Sequence, residues 1–231
     1  MIDHVRDLAS VREATDRLLD AAVSLDNAAL AEPSRLPGWT RGHVLAHLSR
    51  NADALVNVLR GLPMYEDAAT RDADIERDAT RPLDVQLADL RESAERFAAV
   101  GAEPADWDRK VELRNGVVDA ARRIPFRRWV EVDLHHVDLG IGYELENLPD
   151  EFTEREIAFL ADRWSGRPDV PPVTLTSHPG GPSWTTGGTE GTPVALEGSY
   201  ADLLGWLSGR GDKGAHLAVL SGDGLPELPP L

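Results

Sequence analysis

An α+β protein is predicted, with a helical bundle over residues 1–150, a connecting helix over 151–165 and a small α/β domain over 166–231. Two observations predict it. In the first part, apolar residues recur at three- and four-residue intervals in four long segments, the period of an amphipathic helix. Beyond that part the composition changes: the 66 residues from Gly166 to Leu231 hold 13 of the 20 glycines and 9 of the 16 prolines, so turns and short strands replace long helices.

The first helix is predicted over residues 3–25, capped by Asp3, with Val5, Leu8, Val11, Leu18, Leu19 and Ala22 on its apolar stripe. Leu36-Pro-Gly-Trp39 breaks the chain. Thr40 then suits the N-cap of a second helix that reaches Arg60, stops at Gly61 and buries Val44, Leu48, Leu55 and Leu59. The acidic stretch from Tyr65 to Asp78 has no clean period and reads as a loop, with room for a short helical turn, that could form a lid. Pro82 suits the first position of a third helix, in which Leu83, Leu87, Leu90, Ala94 and Phe97 recur until Gly101. Pro125 opens the fourth, whose apolar face is Phe126, Val130, Leu134 and Val137. Four such helices fit an antiparallel bundle, where metal sites are built from side chains on facing helices.

Glu151–Trp164 reads as the helix between the domains. Strands are expected at Val173–Ser177, Ser183–Thr185, Val194–Glu197 and Leu217–Ser221, with Gly187-Gly188 as a hairpin turn. A short helix, Tyr200–Ser208, is capped by Ser199 and stopped by Gly209, and the closing Leu225-Pro-Glu-Leu-Pro-Pro-Leu231 reads as an extended tail.

Charge and composition narrow the partners. A formal charge of −16, from 40 acidic against 24 basic residues, argues against nucleic acid and against an anionic membrane surface. An anionic substrate would need arginines placed locally to receive it. The chain has no cysteine, so disulfides, thiolate ligands and a cysteine nucleophile are excluded, and His, Asp and Glu remain for any metal. Chemistry that needs a thiol must import it with a cofactor. The N-terminus shows no charged-then-apolar signal pattern and no run of about 18 apolar residues occurs, so a cytoplasmic protein is expected.

Two pairs carry the metal chemistry open to such a chain. Glu131 and His135, four residues apart in Trp129-Val-Glu-Val-Asp-Leu-His-His-Val-Asp-Leu-Gly140, sit one above the other on a helix face, and His43 and His47 share the same spacing. The spacing also suits an ordinary surface contact. His47, however, adjoins an apolar stripe, where an imidazole needs a partner to offset desolvation; a metal or a backbone carbonyl would serve. His136 is rotated about 100° from the face of Glu131 and His135 and cannot join them. Two ligands are too few, since a catalytic zinc takes three from the protein and keeps a position open.

Pro37-Gly-Trp-Thr-Arg-Gly-His-Val-Leu-Ala-His-Leu48, followed by Trp129-Val-Glu-Val-Asp-Leu-His-His-Val-Asp-Leu-Gly140, resembles the mycothiol-dependent maleylpyruvate isomerase family. The resemblance implies a DinB-like four-helix bundle and a zinc held by the His of Ala-His-Leu and by the Glu and His of Glu-x-x-x-His, here His47, Glu131 and His135. His43 matches no family ligand and is expected at the surface or the helix start. Ala201-Asp-Leu-Leu-Gly-Trp-Leu-Ser-Gly-Arg210 resembles the family's C-terminal segment, in a domain similar to the sterol-carrier-like α/β fold. The family's arginine near the metal corresponds by context to Arg210; a helix-terminal cation favoured by the macrodipole is the other reading of that residue.

The activity so implied is cis–trans isomerisation of maleylpyruvate to fumarylpyruvate, as in gentisate breakdown, by thiolate addition, bond rotation and elimination. Its cofactors would be zinc and mycothiol, with Arg210 as the catalytic cation and a monomer as the expected state. Two other readings start from the same residues. One is a zinc-dependent mycothiol S-transferase acting on an electrophilic small molecule; the other is a non-catalytic metal-binding regulatory protein.

Overall fold

In the computed structural model, which describes residues 3–229, the chain forms two compact units, Met1–Tyr143 and Glu144–Leu231. The first is built on α1 (His4–Ala22), α3 (Arg41–Leu59), α5 (Leu83–Gly101) and α6 (Ile124–Asp138), with the short α2 (Asn27–Ala31) and α4 (Ala68–Ala79) added. α3 packs on α5 and α6, and α1 packs on the other side of the same two, which closes a four-helix bundle. Leu18, Leu45, Leu48, Leu90, Phe97 and Ile124 are fully buried at its centre.

Local chemistry sets the ends of these helices. The Asp3 carboxylate accepts from the backbone N–H groups of Val5 and Arg6 at 3.1 Å each, satisfying two donors that α1 leaves open. Thr40 caps α3 in a reciprocal box: its hydroxyl accepts from His43 N, and the His43 ring Nδ1 accepts from Thr40 N at 3.2 Å. Pro82 precedes α5 by one residue, as its N-cap.

The segment expected to be a loop, Tyr65–Asp78, is largely helical instead, since α4 runs from Ala68 to Ala79 behind an Asp67 N-cap. Its sequence gives little apolar period because it buries only Ile75, Asp78 and Ala79. Ile75 and Ala79 cluster with Ala46 of α3 and with Trp39. The close approach depends on Gly42: a Cβ there would lie 2.3 Å from the Ala79 carbonyl oxygen. Asp78, also buried, takes two hydrogen bonds from Arg77, at 2.8 and 3.0 Å. α4 is thus held by docking rather than by its own amphipathicity.

A two-stranded hairpin, β1 (Lys110–Glu112) with β2 (Val118–Ala120), precedes α6 and turns through Asn115 and Gly116, both at positive φ.

The second unit opens with α7 (Asp150–Trp164). It packs on β4 (Ser183–Thr186) and on α8 (Tyr200–Ser208) and so belongs to this unit. The sheet order is β4-β3-β5-β6, with β3 at Val173–Thr176, β5 at Val194–Glu197 and β6 at Ala218–Ser221. β3 pairs antiparallel with β4 and parallel with β5. Val173 and Leu175, then Val194 and Leu196, alternate inward as a half-buried sheet requires. Gly187-Gly188 makes no hairpin, because β4 and β5 are not neighbours. The pair leaves β4 and is fixed to the chain after α7 by Gly166 N to Gly187 O and Gly188 N to Val170 O, each 2.8 Å. Ser199 caps α8, and Gly209 ends it at φ 68. Residues 225–229 of the expected tail form no regular element, and Trp206 Nε1 donates to the Pro226 carbonyl at 2.9 Å. Pro230 and Leu231 lie outside the described residues.

Candidate metal centre

His47 lies two turns into α3, and Glu131 and His135 share one face of α6, the helix packed against it. The three side chains meet. His47 Nε2 is 2.9 Å from Glu131 Oε2, and His135 Nε2 is 3.3 Å from the same oxygen. The imidazoles stand edge to face with centres 4.7 Å apart, and the Trp39 ring is 5.4 Å from that of His47.

The surroundings fix both rings. His135 Nδ1 donates to Asp138 Oδ2 at 2.8 Å, one turn on, and Asp138 is buried. This sets which nitrogen of His135 faces Glu131, as the carboxylate behind a metal-bound histidine does. On the other side, Arg71 Nη2 donates to His47 Nδ1 at 3.3 Å. A guanidinium only donates, so that nitrogen accepts and His47 carries its proton on Nε2, facing Glu131.

Protonation follows from these contacts. Burial lowers the His47 pKa and outweighs the hydrogen bond to Glu131 that opposes it, so the ring is held neutral. Burial also pulls on His135, but Asp138 and Glu131 together raise it above the ordinary value. Glu131 is pushed upward by burial, yet the two imidazoles overcome this and hold its carboxyl well below the usual range. One turn back, Arg128 is fully buried, with Nη1 donating to the Leu48 carbonyl at 2.9 Å and to Asn51 Oδ1 at 2.8 Å. Burial brings its guanidinium down to about 10, against the charges of Glu131, Asp53 and Tyr65.

The donor set fits a metal. One atom from each of His47, Glu131 and His135 lies within 4.8 Å of the others. Tetrahedral zinc with ligands at about 2.0–2.2 Å separates them by roughly 3.3–3.6 Å. The His–Glu distances are already close to that. Two imidazoles and a carboxylate are also a ligand set that leaves a fourth position open.

Other expected residues fall elsewhere. His43 serves the start of α3, with its Nε2 3.3 Å from Glu76. His136 turns away from the cluster and stacks on Tyr143 at 4.0 Å. Arg210 follows the left-handed Gly209 in the second unit, where its backbone N–H donates to Gly205 O at 2.9 Å and its Nη1 to Ser208 O at 3.4 Å. Its guanidinium therefore reaches a carbonyl at the end of its own helix. Asp138 and Arg71 were missed in the sequence. Asp138 is legible in the spacing, since three residues after His135 is the same helical face; Arg71 lies in the stretch that has no clean period.

Asp138→Asn should keep the fold and lower zinc affinity by roughly 10- to 100-fold, because the orienting charge is lost while the ligands remain. A competition titration against a chromophoric chelator measures it. An unchanged affinity removes Asp138 from the site.

Comparison with known proteins agrees with this architecture. Residues 11–140 match the family model of the mycothiol maleylpyruvate isomerase N-terminal domain, and residues 147–230 match that of the MDMPI C-terminal domain. A crystal structure of the mycothiol-dependent maleylpyruvate isomerase superposes with a TM-score of 0.86 at 25% identity, covering 99% of this chain and 97% of the other. A histidine-to-alanine mutant of that isomerase gives the same figures: TM-score 0.86, 25% identity, 99% and 97% coverage. The comparison with curated proteins gives no match.

Proposed function

The chain belongs to the mycothiol maleylpyruvate isomerase family, and from that premise we propose that it is a zinc enzyme converting maleylpyruvate to fumarylpyruvate with mycothiol as the thiol. One observation carries the reading: His47, Glu131 and His135 present their donor atoms to a common point, with His135 fixed from behind by Asp138. The chain has no cysteine, so the sulfur must come from outside. Bound there, zinc would supply a Lewis acid that keeps a thiol deprotonated near neutral pH, and mycothiol a sulfur whose reversible addition frees the carbon–carbon bond to rotate.

The protein's part is to hold, orient and balance charge. Two neutral imidazoles and one carboxylate offer a single negative charge to a dication, leaving net positive charge to favour an incoming thiolate. The Trp39 ring stands beside that of His47, tilted to it by 54° with centres 5.4 Å apart. Arg210 would take a substrate carboxylate, or the charge that develops on the substrate's carbonyl oxygen, a task suited to a planar two-donor group. We take the enzyme to act in the cytoplasm as a monomer on a small anionic molecule, without nucleic acid or membrane. Among the described residues no helix is long and apolar enough to cross a membrane.

The test is an assay of zinc-supplemented protein with maleylpyruvate, following loss of the cis isomer with and without mycothiol. Loss of the cis isomer only when protein, zinc and mycothiol are all present supports the proposal. Consumption of mycothiol with other electrophiles but not with maleylpyruvate would assign S-transfer instead.

A further inference from the structure

α4, the helix hidden in the sequence, brings one cation to the candidate metal centre. Only 13% of the Arg71 side chain is exposed, an uncommon depth for an arginine on a largely exposed helix. Its Nη2 reaches His47 Nδ1 at 3.3 Å, its Nη1 reaches Asp72 Oδ1 at 2.7 Å, and its guanidinium carbon is 5.8 Å from the centre of the Tyr65 ring. Tyr65 also interacts electrostatically with Arg71, Glu131 and Arg114. Tyr65 and Arg114, with Arg109 and Lys110, line an open cavity of about 720 Å³. Asp67 and Glu112 line it as well, and Tyr65 is the residue common to this cavity and to the surroundings of Arg71.

The contact with His47 suits one state of that histidine and not another. A metal on Nε2 requires the ring's lone pair there, so a neutral His47 must then carry its proton on Nδ1. Two donors would face each other across 3.3 Å, and a guanidinium would stand beside a dication. Both effects push Arg71 away from His47. Its remaining partners are Asp72, an exposed carboxylate that screens weakly, and Tyr65. Asp72 engages Nη1, so it is Nη2 that loses its acceptor, and a largely buried guanidinium nitrogen beside a metal favours an anionic one in its place.

We propose that Arg71 is a carboxylate-binding residue of the metal centre, its guanidinium placed beside His47 to take a carboxylate of the ligand when the metal is bound. The proposal rests on the zinc reading above and names a cation within the bundle for one carboxylate of a dicarboxylate substrate. The strong negative charge of the chain makes such a local cation necessary for a dianion to be accepted.

The test compares the unsubstituted chain with Arg71→Met and Arg71→Lys, using binding alone. In the absence of added anions, Arg71→Met should take up zinc about 3- to 10-fold more tightly, since a competing donor and a positive charge are gone. Zinc-loaded protein should bind maleate, a cis dicarboxylate, at least about 10-fold more tightly than Arg71→Met does, with Arg71→Lys between them because a point charge lacks the planar fork. Ile75, Asp78 and Ala79, which dock α4, are untouched, and circular dichroism checks that the variants are folded. Unchanged zinc affinity or unchanged maleate affinity in Arg71→Met overturns the proposal. A wild-type chain that binds no zinc overturns the metal reading itself and this proposal with it. Zinc and maleate binding as expected, without turnover of maleylpyruvate, would overturn only the assigned reaction.

Discussion

Glu131→Gln is expected to keep the fold and lose most of the bound zinc, with affinity falling by about 100-fold or more. The carboxylate oxygen Oε2 faces both imidazoles, at 2.9 and 3.3 Å. It is also the one anionic member of the set, so the amide would leave a dication on two neutral rings and a weakly donating carbonyl. Outer residues around metal sites already change affinity by about 10- to 100-fold, and a ligand should lie at or beyond the upper end of that range. The substitution is isosteric and the side chain is only half-buried, so far-ultraviolet circular dichroism should not change. Zinc content after dialysis measures the effect. Full occupancy in the variant would remove Glu131 from the ligands.

Arg210→Ala should leave zinc content and thermal stability nearly unchanged while lowering kcat/KM by about 10²-fold or more, the scale of losing one donor to a developing negative charge. Arg210→Lys should recover part of the loss, because the ammonium keeps the charge and lacks the fork. If the guanidinium serves only the end of α8, where Nη1 meets the Ser208 carbonyl, both variants should change stability by less than about 1 kcal/mol and leave turnover intact. Steady-state kinetics with metal-loaded protein separates the two. Full activity in Arg210→Ala would remove Arg210 from the catalytic groups and leave the metal ligands and Arg71.

The parts of the fold legible in the sequence are those fixed by neighbours in the chain. Asp3, Thr40 and Ser199 cap the helices expected of them because a cap needs only the next three residues. The strands Val173–Thr176 and Val194–Glu197 follow from alternation. α4 was not legible because its partners, Trp39 and Ala46, lie at least 20 residues away in the chain, and because its close packing depends on Gly42. The Gly187-Gly188 error has a similar cause. A two-glycine turn signals a hairpin only if the flanking strands are neighbours, and here β3 lies between them.

The candidate site divides along the same line. Glu131 and His135 were visible as a pair because helical spacing places them on one face. Spacing could not join His47 to them from another helix; the resemblance supplied that link. His43 has the same i, i+4 relation to His47 but is committed to the Thr40 box, a competing local use that spacing cannot separate from ligation. Arg71 was hidden with its helix.

Zinc-edge X-ray absorption on the loaded protein, before and after mycothiol is added, shows whether His47, Glu131 and His135 hold the metal and leave a place for the thiol. Nitrogen and oxygen ligands at about 2.0–2.2 Å are expected, with outer-shell scattering from two imidazoles, and a sulfur at about 2.3 Å once mycothiol is present. A light-atom shell that is unchanged by mycothiol, or one without imidazole scattering, would contradict this assignment.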